Sequence, residues 1–332
     1  MKFTIKVGVA IVLLLGGVVI LFSNGKKQDL QAEVKDIQTD SITVDTNQNS
    51  QETLVFQITT EEVNKIIIDN RGERIELLPT SPYSEEEVRT NLSGWYVHQP
   101  YKNVYSVKYN KMSDILYGLA NIKRGEILTG NEKSLEEYGL VNANFKISIA
   151  SKDKEETILI GVPATSESRY AKLETDDRVF TIHSSALEPY SYQAFDIVEK
   201  FVKIVAIDVL KQLTIQFTDQ EVAITVEHQE NLDLGFTIDI NGDEIEANKF
   251  RQLYKSIAGL SVKEEIGDAK YGPPAATMIY TILDSDKGEN EVKVEFVPYN
   301  NKSFAVFIDH KADFIIEKKE FFEMIKLITN QN

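Results

Sequence analysis

The sequence predicts an α+β fold: an N-terminal transmembrane helix, then two tandem repeats, each a mainly antiparallel sheet with one or two packed helices. Three observations predict it. An unbroken apolar run fills Val7 to Phe22, and the rest of the chain is dominated by short segments with apolar residues at alternate positions, bounded by Gly, Asn and Asp turns. The third is that the order of these segments recurs, with Val63, Ile66 and Ile68 matched by Leu210, Leu213 and Ile215 at a shift of about 147 residues.

The apolar run sets the first boundary. At 1.5 Å per residue it spans roughly 24 Å, and Phe3, Ile5 and the flanking lysines extend it toward a ~30 Å hydrocarbon core. Residues 1–25 therefore read as a transmembrane anchor, favoured over a cleaved signal peptide because the run exceeds the usual h-region of ~7–15 residues. Both readings place the bulk of the chain outside the cytoplasm, and the anchor makes it a single-pass cell-membrane protein. Residues 26–52 are polar and read as a flexible tether. With 332 residues there is room for two further units, 53–200 and 201–332. The net charge of −16 argues against nucleic acid as a partner, and the lack of cysteine excludes disulfides, thiolate chemistry and a lipid-modified N-terminal cysteine.

In the first repeat, Leu54, Phe56 and Ile58 alternate as a strand, followed by Ile66 to Ile68, a hairpin turn at Asn70–Glu73, and Ile75 with Leu77. Around Trp95 the alternation places Trp95, Val97 and Gln99 on one face and Tyr96 and His98 on the other. Ile115, Leu116, Leu119 and Ile122 keep helical spacing, predicting a helix over about 106–121. Tyr138-Gly139 then makes a turn into strands at 145–149, 157–160, 169–173 and 178–182. A helical stretch from Ser184 closes the unit, with Ser185 and Glu188 spaced as a capping box.

The second copy keeps the apolar pattern in phase. Trp95 and Val97 align with Phe236 and Ile238, Met112 and Ile115 with Phe250 and Leu253, Tyr138-Gly139 with Tyr271-Gly272, and Phe180 with Phe314. On this alignment Trp95, Tyr138, Gly139, Tyr271 and Gly272 are structural residues that the duplication preserves.

Gly94-Trp95 with Pro100, Glu137-Tyr138-Gly139-Leu140, Ile158 to Gly161 and Arg169-Tyr170 leading to Val179–Ile182 resemble the bacterial domain of unknown function 4340 family. The resemblance covers about Val63 to Ile182, and the second copy more loosely. It implies a membrane-tethered, exported protein without an established activity, and association with ABC-type export systems.

Chemistry-bearing motifs are sparse. The four histidines have no metal-ligand spacing, and no Walker loop, G-x-G-x-x-G or G-x-S-x-G is present. Asp284 to Glu289 is a hairpin turn rather than a calcium loop, since its spacing is not that of an EF-hand. No catalytic, cofactor-binding or metal-ligating residue is assigned, and no cofactor. Tyr96, His98 and Tyr101 stand out as candidate partner-binding residues beside Trp95, on the argument that aromatics near polar groups form recognition surfaces. The expected function is non-enzymatic: an extracytoplasmic binding or scaffold protein with a protein partner, an ABC-type transporter among the candidates. A peptide or solute receptor with an aromatic cleft between the repeats is the second reading, and a cell-envelope hydrolase the third.

Overall fold

The computed structural model of the protein describes residues 10–14, 17–21, 53–79, 91–128, 133–228, 236–284 and 288–330. Two units are distinct, Met1–Glu52 and Thr53–Asn332. In the first, strands β1 (Ala10–Leu14) and β2 (Gly17–Leu21) pair antiparallel, where the sequence predicts a helix. The run is rich in Val and Ile, and a Gly pair divides it, so its composition suits a hairpin as well as a helix. Among the described residues no helix is long and apolar enough to cross a membrane. The tether, 26–52, lies outside the described residues.

Thr53–Asn332 holds two antiparallel sheets with a few helices, an α+β arrangement. The first sheet is built from β3 (Lys65–Asn70), β4 (Glu73–Leu78), β5 (Tyr96–Gln99), β6 (Tyr105–Ser106), β7 (Phe145–Ala150), β8 (Glu155–Pro163), β9 (Ser168–Leu173) and β10 (Phe180–His183). Its helices are α1 (Tyr109–Asn121), a 3-10 helix (Ser184–Ser191) and α2 (Ala194–Ile197). The second sheet holds β11 (Leu210–Phe217), β12 (Gln220–His228), β13 (Phe236–Ile240), β14 (Asp243–Glu244), β15 (Glu264–Glu265), β16 (Ala276–Asp284), β17 (Gly288–Pro298), β18 (Ser303–Ile308) and β19 (Lys311–Glu317), with helices α3 (Ala247–Ala258) and α4 (Lys318–Thr329).

Strand order is the same in both sheets: β6-β5-β4-β3-β7-β8-β9-β10 in the first and β14-β13-β12-β11-β16-β17-β18-β19 in the second. Even the irregular edges match. Leu54 bridges Lys123 as Phe201 bridges Ser261, and Ile127 bridges Phe180 as Glu265 pairs with Phe314. Local chemistry explains the tight turns. Arg71 and Gly72 both have positive φ between β3 and β4, as do Asn241 and Gly242 between β13 and β14, the geometry of two-residue hairpins that match strand twist.

Several sequence expectations need correction. The pairings Tyr96↔Ser106 and Asp239↔Glu244 put Trp95 level with Ile238 and Val97 level with Ile240, a register two residues beyond the Phe236 and Ile238 alignment. A two-residue slip keeps every side chain on its face, so hydropathy alone does not detect it. Trp95, Tyr96 and Val97 are all buried, so both faces of β5 are covered. Phe56 and Ile58 are buried as the alternation predicts, but Leu54 is exposed and Val55 buried, where this segment makes a single bridge rather than a strand. After β10 the cap is His183, whose Nδ1 accepts from the Ser185 N–H, and the capping box falls at Gln193 and Asp196.

The two Tyr-Gly turns also differ. Tyr138 is buried, packs on Tyr170 at 4.7 Å and accepts at its carbonyl from the Val162 N–H at 3.0 Å. Gly139 has φ +69°, and a Cβ there would lie 2.7 Å from Val162 Cγ1. Tyr271, by contrast, is 46% exposed, donates its hydroxyl to the buried Glu295 carboxylate at 3.0 Å, and packs on His310. Gly272 meets only Val297 Cγ1 at 3.8 Å. The second turn therefore does not require glycine, and the duplication preserves the dipeptide without its geometry.

Candidate functional site

The linker between the repeats turns a pair of sheets into one body. Outermost in the first sheet, β6 runs on into Val107, which bridges Val198: the Lys108 N–H donates to Ile197 O and the Glu199 N–H to Ser106 O, both at 2.8 Å. Two residues later the same segment crosses to the second repeat. The Val202 N–H donates to Leu260 O at 2.8 Å, and Lys200 O accepts from the Val262 N–H at 2.7 Å. From there β15 pairs with β19. Ile197 and Val198 are fully buried, so the linker is ordered by apolar packing as well as by its backbone bonds.

Side chains lock the same joint. The loop between β5 and β6 carries Lys102 and Asn103 onto Asp313 of β19, a carboxylate only 5% exposed. One oxygen accepts from the Lys102 N–H at 2.8 Å. The other accepts from the Asn103 N–H at 3.0 Å, the Asn103 side-chain amide at 3.2 Å and the Tyr105 hydroxyl at 3.0 Å. A buried carboxylate requires such donors, since its desolvation cost is otherwise uncompensated. Next to it Phe314 inserts among Tyr105 at 4.7 Å, Tyr101 at 4.8 Å and Phe195 at 5.5 Å, three rings from the first repeat around one from the second. The Tyr101 hydroxyl donates to Glu265, and the Lys102 amine reaches Asp268 at 3.0 Å.

Displaced titrations gather here. Burial, then the bond to Glu265, pushes the Tyr101 hydroxyl above its usual range. Burial raises Glu199, lowers Lys108, and with the neighbouring Lys108 charge brings Lys200 down to about 8. The Lys200 amine sits over the Phe195 ring and donates to Phe195 O. Because a lysine with a depressed folded pKa binds fewer protons than the unfolded chain, stability should rise with pH from about 8 toward 10.0, where tyrosine begins to titrate in the unfolded chain. Thermal melts across pH 7.5–9.5 should show this rise, and Lys200→Met should flatten it; an unchanged slope in the variant would refute the assignment. Above pH 10 the sign reverses, as Tyr101 holds its proton in the fold but not in the unfolded chain.

Of the candidate recognition residues, Tyr96 is 3% exposed and presents no surface to a partner. His98 is half-buried and engaged within the chain. Tyr101 contacts a partner of a different kind, the second repeat of its own chain. Asp313 was not singled out by sequence, although an acid set directly before the apolar run Phe314 to Ile316 was the available signal. The aromatics between the repeats pack on one another rather than lining a cleft. An open groove of about 1000 Å³ lies instead on the second repeat, beside Lys263, Glu264, Lys302, Glu317, Lys318 and Lys319. There Lys263 pairs with Glu320 at 2.6 Å and the Lys318 amine donates to Asn300 O at 2.6 Å. Among the described residues no three His, Asp or Glu side chains are placed to hold a metal ion.

No curated protein and no solved structure matches the chain at a significant level. The family described as domain of unknown function (DUF4340) matches residues 95–276. That span starts later than the sequence resemblance and reaches further, from Trp95 across the linker to the start of β16. It takes in more than half of the chain, and with it the joint's linker and latch loop, so this protein belongs to the DUF4340 family.

Proposed function

We propose that the protein is a membrane-anchored, extracytoplasmic binding or scaffold protein. The observation that carries this reading is the joint: Tyr101, Lys108, Glu199 and Lys200, whose titrations burial displaces, are spent where the two repeats meet as one body rather than on an open cleft. Two sheets held together by such a joint suit presentation of surfaces to other proteins. The apolar run Val7 to Phe22 serves as the anchor. In hydrocarbon a two-stranded hairpin leaves its outer backbone groups unpaired, so the run crosses as a helix when inserted. Accessory service to an ABC-type export system rests on the family resemblance alone.

Affinity purification of the full chain from mildly solubilised membranes tests the proposal. A reproducible co-purifying membrane protein is expected, and its absence would count against a scaffold. Protease added to intact cells should digest the region after residue 53; a protected C-terminal region would overturn the extracytoplasmic placement.

A further inference from the structure

The edge of β14 is the counterpart, in the second repeat, of the edge that the linker covers in the first. β13 and β14 pair as β5 and β6 do, and the Ile245 N–H donates to Ile238 O at 3.0 Å just as the Val107 N–H donates to Trp95 O at 2.9 Å. By this register Ser106, Val107 and Lys108 correspond to Glu244, Ile245 and Glu246. Each set leads directly into a helix, with Lys108 the N-cap of α1 and Glu246 the N-cap of α3. In the first repeat Ser106 O and the Lys108 N–H bond the linker strand. Among the described residues nothing pairs with the equivalent Glu244 O and Glu246 N–H.

Charge at the two edges is inverted. Lys108 faces an acidic incoming segment, its amine donating to Asp196 O at 2.9 Å with Glu199 close by. On the second edge Asp243, Glu244 and Glu246 are all exposed. Acidic residues on a short edge strand repel acidic strands, which guards against self-pairing of this acidic edge, and they favour a basic one. We infer that the β14 edge, Glu244 to Glu246, is a docking site for an extended basic segment of a partner protein, which pairs with the edge backbone as the linker bridge at Val198 does with Val107. The inference rests on the scaffold reading and names the surface and chemistry that it uses. A second copy of this chain is a poor occupant. The residues at the linker's position before Thr53 are Ser50, Gln51 and Glu52, polar and acidic where the linker has Ile197, Val198 and Glu199. The β13–β14 turn also lacks the latch loop that joins the repeats.

The test is fluorescence anisotropy with the full chain and two labelled peptides: the linker sequence 193–202, and the same sequence with lysine in place of Asp196 and Glu199. The lysine peptide should bind with Kd below about 1 mM, and the native linker peptide about tenfold more weakly. Glu246→Pro removes the strand donor at φ −64°, a value proline adopts without strain, and should abolish binding while leaving the melting temperature unchanged. Glu246→Gln should weaken binding only in part. E244K/E246K should reverse the preference between the peptides, which keeps the test decisive if the proline variant fails to fold. No binding, equal binding of both peptides, or binding that survives both Glu246→Pro and the charge reversal would overturn the proposal, as would dimerisation through this edge. Co-purification from membranes separates the two claims: a partner retained by Glu246→Pro keeps the scaffold and discards the edge.

Discussion

Replacing Asp313 by alanine is expected to destabilise the protein by about 3–5 kcal/mol, because it strands several donors at once. The Lys102 and Asn103 N–H groups and the Tyr105 hydroxyl all end on this carboxylate, which is 5% exposed and lies beside the packed rings of Tyr105 and Phe314. The expected signature goes beyond a lower midpoint in urea. Thr53–Asn332 should unfold in a single transition, whereas Asp313→Ala should separate the repeats into two. Asp313→Asn, which keeps the shape but turns an acceptor into a donor, should cost about 2 kcal/mol. A midpoint unchanged within about 0.5 kcal/mol for the alanine variant would show that the latch is not what couples the repeats.

Gly161→Ala should be the most damaging small substitution in the first repeat, at about 3 kcal/mol or more. A Cβ at Gly161 would lie 2.0 Å from the carbonyl oxygen of Tyr138, which is backbone and is itself bonded to the Val162 N–H. Neither side can give way without opening the turn that brings Tyr138, Leu140 and Ala143 over Leu159 and Val179. Gly139→Val acts on the other side of the same contact, adding a side chain where φ is +69° and should cost about 2–3 kcal/mol. The control is Gly272→Ala in the second repeat, expected within about 1 kcal/mol of the parent since the nearest atom leaves ordinary contact distance. Thermal melts of the three variants check the order, and equal losses at Gly161 and Gly272 would sink the argument.

Family membership and the joint bear on each other. The matched residues 95–276 contain the linker, the loop between β5 and β6 and β15, so the match runs from the first repeat across the linker into the second. Asp313 and Phe314 lie beyond it, so the receiving half of the joint belongs to this chain's second repeat outside the matched region.

By itself the sequence determined what depends on neighbours along the chain. Period-two hydropathy produced strands near 66–68, 145–149, 157–160 and 169–173, where residues fold onto strands a few positions away and the turn residues set the connection. The same local logic exposed the duplication, whose strand order the two sheets share. What only the tertiary structure decided involves residues far apart in sequence. Tyr101 reads as a surface aromatic until Phe314 and Glu265 come against it, and Asp313 reads as solvated until the loop at Lys102 and Asn103 encloses it. The register of β13 against β5 was hidden because a shift of two residues leaves the apolar face unchanged. Hydropathy records which residues leave water; which distant partner receives a buried hydroxyl or carboxylate is decided when the chain closes.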